Sequence, residues 1–558
     1  MKKFTRALAL AMAVLMVFVL AACTPAASTP TAAPTSAAGG ASTPAPTAGT
    51  ATQTAAPVEP VAEREFYEIS AYINMHPSAS LDDVPEGGYM KEKMFEEMFN
   101  VKFDFIRIPA TDEQAVYNVT MASGDIPDIV TQGSWSSLNK YKEAWKPLDD
   151  YILGKYEYLE DYFYNDPFVY ALSAGEDGKI KILSMLSEQY IGDILLVRGD
   201  LVEAWGLNID DYKVKEDYAD LLRFAQQQDP KLVPFMTRMQ TVGLINRLCE
   251  SWSGICTYEF VDQATDTVMY GAADPRMKEV VEWLRVLYAE KLIDQEFPTT
   301  ATPEWQEQLL NDGIFMTHDN ASSRIKWADQ EFAKLGVTDK YYQAMPLIQP
   351  DANTKGTTTI HYPKLRDAFA VFVGVEDGKV DRIMEMSNYN FSPEGFELHT
   401  YGIDGISFFI DSDGLYQHVP EYDAAIKADD RVALPMDKRV SGDVARFGRL
   451  EPNGIYGIDN RQHERVQAAA VMYEDGGLIR DNKLQLIRLT EEEQSRATQL
   501  KTDLETYTQE NIVQFIMGIK SMDQWDAFVA DYSRIGEGLD TFLQIYNDAY
   551  TRAKDLLN

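Results

Sequence analysis

The alternation that begins at Glu65 constrains this chain most. FYEISAYI is a short aromatic and β-branched run, GYMKEKMFEEMFN sets Met90, Met94, Phe95 and Met98 on one helical face, and VKFDFIRI is a second short run. DEQAVYNVTMASGD then fits a helix closed by Gly124, and residues 126–130 a third strand. Strand, helix, strand, helix, strand closes most simply as parallel strands joined by right-handed crossovers. The expectation is an α/β body, and in such open sheets ligands bind outside the carboxyl ends of the strands.

Size multiplies that unit. A chain of 558 residues exceeds what one core holds, so two large lobes are expected. The beginning is different in kind. Lys2, Lys3 and Arg6, the apolar run from Ala7 to Leu20, and the small pair Ala21-Ala22 form the three parts of an export signal. That run is shorter than the about 20 apolar residues a membrane span needs. Leu20-Ala21-Ala22-Cys23 resembles the lipobox of bacterial lipoproteins, which implies a signal over 1–22 and a lipidated Cys23. The Pro, Ala, Thr, Ser and Gly tract that completes 23–62 cannot bury enough apolar surface to offset its chain entropy, and is expected to be a disordered tether.

Charge and spacing exclude several functions. With 51 basic and 87 acidic residues the formal charge is −36, which repels nucleic acid and anionic membrane surfaces. His76, His318, His361, His399, His418 and His463 never approach a zinc-ligand spacing. Asp411-Ser412-Asp413-Gly414 lacks the third acidic position and the closing glutamate of a calcium loop. No metal and no cofactor is expected. Export permits a disulfide between Cys249 and Cys256, and two free thiols fit equally well. Neither G-x-S-x-G nor G-x-x-x-x-G-K-[ST] is present.

MASGDIPDIV resembles the ASGDxPDI segment of family 1 extracellular solute-binding proteins. ILLVRGDLVEAWGLN, NDGIFMTHDN, SNYNFSPEGFELHTYGIDG and the closing FIMGIKSMDQWDAFVADYSRIGEGLDTFLQIYNDAYTRAKD are similar to further segments of that family, in order. The resemblance runs from Glu65 to the end and, with the lipobox, points to the large oligosaccharide-type lipoproteins of Gram-positive ABC importers. It implies a two-lobed, type II periplasmic-binding-protein-like fold, each lobe a mostly parallel sheet flanked by helices, with a helical C-terminal extension. The lobes are expected over 63–175 plus about 340–372, and over 176–339 plus 373–558. The family further implies a monomer on the extracellular face of the cell membrane, ABC permease subunits as partners, and an oligosaccharide gripped between the lobes. Arg198 with Asp200 is expected to be a structural ion pair near a helix start.

Sugars need bidentate polar partners for their hydroxyls and flat aromatic platforms for their ring faces. The loops after predicted strands offer His76, then Thr131 to Trp135, then Glu188, Gln189 and Tyr190, then His318, Asp319, Asn320 and Arg324. Trp252, Trp305, Trp327, Tyr362 and Tyr401 add rings, whereas Trp283 and Trp525 sit on helical patterns and are expected in the core. The ligand-binding set is therefore His76, Trp135, Glu188, Gln189, Tyr190, Trp252, Asp319, Asn320, Arg324, Trp327, Tyr362 and Tyr401, with Trp135 and Trp252 foremost because Gly and Ser flank them. Two rivals remain: an exported carbohydrate-active enzyme using a carboxylate pair such as Glu188 and Asp319, and the same fold holding a peptide or signalling molecule.

Overall fold

The computed structural model describes residues 64–74, 84, 88–109, 112–132, 135–175, 177–187, 193–238, 240–249, 254–353, 358–360, 364–427, 444, 447–448, 450–451, 463–474, 479–481, 483–555 and 557. The signal, Cys23 and the tether lie outside them, and all the described residues belong to one compact unit. Their strands, in chain order, are β1 Tyr67–Asn74, β2 Val101–Ile108, β3 Ile129–Gln132, β4 Ile182–Ser187, β5 Asp193–Arg198, β6 Val233–Phe235, β7 Glu259–Asp262 and β8 Thr267–Tyr270. There follow β9 Ile314–Asn320, β10 Tyr342–Ala344, β11 Thr358–Ile360, β12 Lys364–Val371, β13 Phe408–Ile410, β14 Tyr416–His418, β15 Leu450–Glu451 and β16 Ile479–Asp481.

Two sheets divide the molecule. The first has the order β15-β4-β12-β3-β1-β2 and the second β10-β5-β9-β6. β1 pairs in parallel with β2 and β3, β15 with β4, and only β12 opposes its neighbours β3 and β4. In the second sheet β6 runs with β9, and only β5 opposes its neighbours β9 and β10. Each lobe is thus a sheet of like-directed strands with one reversed member. That member is the strand by which the chain enters. The chain passes from β4 to β5 between 187 and 193, returns from β10 to β12 between 344 and 364, and leaves β15 for the helix Glu464–Glu474 between 451 and 464. At the first sheet all three passages start or end on one row, because Ser187 is opposite both Lys364 and Glu451.

Local sequence explains the first lobe well. The helix Met90–Phe99 buries Phe95 and Phe99, with Met94 and Met98 packed at their margin, and Asn100 ends it in the left-handed conformation. The helix Glu113–Ser123 stops at Gly124, whose φ of 75° suits glycine. The third strand starts at Ile129, three residues later than predicted, because Asp128 is used as a fastener. Its Oδ2 accepts from Ser70 N and Oγ at 2.9 and 3.0 Å and lies 3.2 Å from Lys379 Nζ.

The boundaries fall elsewhere than expected. β4 lies in the first sheet, and the helices Asp377–Phe391 and Pro393–Thr400 pack Val380, Ile383, Met384, Phe391 and Leu398 into that sheet's core, with Ile69, Phe95 and Phe369. Residues 182–187 therefore belong with the first lobe by their backbone pairing, and 377–400 by the apolar side chains buried in that core. The C-terminal helices are no appendage. Leu504, Ile512, Phe515, Trp525, Phe528 and Phe542 share one core with Leu195 and Val197 of β5 and with Val280 and Leu284 of the helix Pro275–Ala289. Trp525 is buried and Trp283 packs at its edge, as helical spacing suggests.

Candidate functional site

Strand direction decides where polar groups collect. Because every strand but the entering one runs toward the passages, the carboxyl ends of β1, β3 and β4 and those of β6, β9 and β10 all lie at the end where the lobes are joined.

On the first lobe those ends carry Asn74, Thr131 and Gln132, all buried. Asn74 N donates to Thr131 Oγ1 at 3.1 Å, and that hydroxyl lies 2.7 Å from Asn74 Oδ1, which fixes both rotamers. Gln132 sits opposite Ala368 of β12 and is 2% exposed, yet among the described residues its Nε2 has no hydrogen-bond partner. A buried amide donor left unpaired costs about 1–3 kcal/mol. It persists where a ligand or water completes it.

On the second lobe the groups are charged. Asp319 is fully buried opposite Ile194 and receives a fork from Arg238, Nε to Oδ2 at 2.6 Å and Nη2 to Oδ1 at 2.9 Å. Arg324 Nε lies 3.2 Å from Oδ2, and the backbone N–H of Asn320 donates to Oδ1 at 2.7 Å. Asn320 caps the helix Ala321–Lys334, its Oδ1 accepting from Ser323 N at 3.0 Å. The Arg324 guanidinium lies 4.8 Å from the ring centroids of both Trp305 and Trp327, which stack at 6.4 Å and 21°. Trp305 Nε1 donates to Thr317 Oγ1 at 3.1 Å, tying the ring pair to β9. This cluster is built by the lobe for itself: the bidentate fork and the arginine over aromatic faces are strong, directional contacts.

Three expectations are corrected here. His318, Asp319 and Asn320 were expected in a loop after residue 316, but β9 continues to Asn320, because pairing with β5 holds the backbone to that point. Arg324 lies on the following helix, not in that loop. Asp319 is buried and committed to two arginines, so it is an anchor for the cluster rather than half of a carboxylate pair flanking a glycosidic bond. Trp327 is half-buried against Trp305. Tyr401 stacks on Tyr416 at 4.0 Å and 16°, and Tyr416 donates to Glu397 Oε2 at 2.7 Å, so these rings fasten the β13–β14 hairpin to the helix Pro393–Thr400. In that hairpin Asp411 Oδ1 accepts from the N–H groups of Asp413 and Leu415 at 3.0 and 2.9 Å. Arg198 binds Asp200 through Nε at 2.8 Å and Nη2 at 2.6 Å, as a structural ion pair should.

Trp135 opens the helix Trp135–Asn139. His76, Glu188, Gln189, Tyr190, Trp252 and Tyr362 lie outside the described residues. Gln132 and Arg238 are the members that sequence reasoning missed. Gln132 stood in the stretch Thr131 to Trp135 after the third predicted strand, and Arg238 lies three residues past the end of Val233–Phe235, so a strand end was the available signal for each. Among the described residues no group of histidine, cysteine or carboxylate side chains is placed to hold a metal ion, and no helix is long and apolar enough to cross a membrane.

No family model matches the sequence, and neither does any curated relative. Solved structures match closely in shape. An HMO-binding, ABC-transporter-associated solute-binding protein from Bifidobacterium longum infantis superposes with a TM-score of 0.67 at 13% identity, over 88% of this chain and 99% of that one. An alginate-binding protein without calcium ion gives 0.62 at 19% identity, over 87% and 98%. An ABC-transporter substrate-binding protein of S. pneumoniae in complex with kestose gives 0.61 at 16% identity, over 88% and 99%. The chain has the two-lobed α/β fold of these solute-binding proteins.

Proposed function

We propose that this chain is the binding component of an ABC importer: it takes up an oligosaccharide between its lobes and delivers it to membrane permease subunits. The observation that carries the reading is directional. The carboxyl ends of strands from both sheets lie at the joined end of the molecule, with amides and a hydroxyl on one side and an arginine cluster backed by tryptophans on the other. The likeness in fold to proteins described as HMO-binding, alginate-binding and kestose-bound supports a glycan as ligand. Gln132 supplies a donor to a sugar oxygen, and Trp135 and Trp252 remain the proposed platforms, with His76, Glu188, Gln189, Tyr190 and Tyr362 completing the set. Cys23 carries a lipid anchor that holds a monomer outside the cell. The protein binds without turnover.

Calorimetry of the purified protein against a panel of oligosaccharides and peptides, followed by chromatography of the recovered glycan, tests this. Saturable binding of an unaltered oligosaccharide is expected. A shortened glycan overturns the non-catalytic reading, and binding of peptides alone overturns the glycan.

A further inference from the structure

The peptide passages are not the only connection between the lobes. The helix Pro167–Ser173 starts at Asp166, whose side chain accepts from Phe168 N and Val169 N, and ends beside β4, where Ser173 and Ile182 line one cavity of about 210 Å³. Its Val169 packs into the first lobe's core. Its Ala171 and Leu172 do not. They are buried in a separate cluster with Val261 of β7, Val268 of β8, Leu486, and Tyr550 and Ala553 of the helix Leu539–Asp555, all carried by the second lobe. Arg488, two residues beyond Leu486, donates from Nη2 to Leu172 O at 2.8 Å, a cation on the last turn of that helix.

This contact lies at the N-terminal end of β4, whereas the passages meet its C-terminal end at Ser187. The six residues of that strand separate the two by about 17 Å. Two bodies held at two separated places are free to rotate only about the line through both. Leu172, Leu486 and Tyr550 are sealed from water, so sliding this contact open would expose them together.

We propose that the Leu172 cluster is a bearing: it fixes the axis of relative lobe rotation along β4 and limits the unliganded protein to a narrow range of lobe angles. The inference rests on the two-lobed binding reading only for its use, since the restriction itself is a property of the unliganded chain.

Spin labels carried by unnatural side chains at Val119 of the first lobe and Leu335 of the second, both well exposed, test it by pulsed dipolar distance measurement on the full-length protein without ligand. The intact chain should give one narrow distance peak. Leu172→Ala and Arg488→Gln should broaden or shift it, about twofold in width for the former, while Leu159→Ala, a deletion inside the first core, lowers the melting temperature and leaves the peak unchanged. If Leu172→Ala fails to fold, Arg488→Gln, which removes the hydrogen bond to Leu172 O and leaves the apolar side chains of the cluster intact, carries the test. A peak the same as wild type in every soluble cluster variant overturns the bearing, and so does a broad peak in the intact chain. Neither outcome touches the glycan reading, which calorimetry decides.

Discussion

The strand ends of the two lobes solve the same problem in opposite ways. On the first lobe, Asn74 and Thr131 satisfy each other and Gln132 keeps a donor in reserve, all neutral groups that a ligand hydroxyl can meet at small desolvation cost. On the second, Asp319 takes a fork from Arg238 and a further contact from Arg324, with Trp305 and Trp327 behind them. A buried ion cluster is costly to assemble and costlier to break, because one missing partner leaves an uncompensated charge. The comparison teaches that one lobe leaves a neutral donor uncommitted among the described residues while the other spends its polar groups on holding a charged wall in place.

That contrast can be broken most forcefully at Asp319. Asp319→Asn leaves Arg238 without its counter-charge in a buried site and should cost about 3–5 kcal/mol of stability, read from urea denaturation; a loss below 1 kcal/mol would make the cluster a surface ornament. Trp305→Ala removes a fully buried ring and the Thr317 hydrogen bond, and should cost about 3 kcal/mol or more. On the neutral side the signs differ. Gln132→Leu should leave the unliganded protein as stable or up to about 1 kcal/mol more stable, since it deletes an unsatisfied donor. It should also weaken glycan binding about tenfold, equivalent to 1.4 kcal/mol. Unchanged affinity, measured by calorimetry, would assign that donor to water.

The smallest effect concerns acid. Burial works against the charge of Asp266, but Lys483, Tyr550 and Lys554 outweigh it and hold its carboxyl down to about 2. A depressed native pKa contributes stability in full above the unfolded value near 4, and that contribution is lost as pH falls from about 4 to 2. The side chain is 42% exposed, so screening keeps the share well under 1 kcal/mol. Asp266→Asn should flatten the urea midpoint slightly over that interval, and an unchanged slope would show the group to be unperturbed.

Much of the first lobe was legible in order. The runs at 67–74 and 101–108, the helix between them and the stop at Gly124 follow from spacing and glycine chemistry, because each is set within a few residues. The motif SGDIPD was legible as a turn, but the role of Asp128 was not: its partners Ser70 and Lys379 are 58 and 251 residues away. The lobe boundaries failed for a similar reason. The helix Asp377–Phe391 has an apolar face in the sequence, and nothing in that face names which of two cores it enters. At the site, Asp319 and Arg324 were found by type but assigned to a loop, since the strand that extends to Asn320 is held there by β5 from across the lobe.

What the sequence by itself determined is therefore the local alphabet: the α/β succession, the net acidity, and the polar and aromatic residues near strand ends. Periodicity, capping and charge act over a turn or two of chain, and those are written residue by residue. What only the tertiary structure decided is direction and company. The reversal of β5 and β12 brings the strand ends of both lobes to one side, Arg238 meets Asp319, and Leu172 of one lobe is buried by Tyr550 of the other. Those pairings join residues tens to hundreds of positions apart. Their energy comes from burial and charge neutralisation that exist only once the chain has closed upon itself.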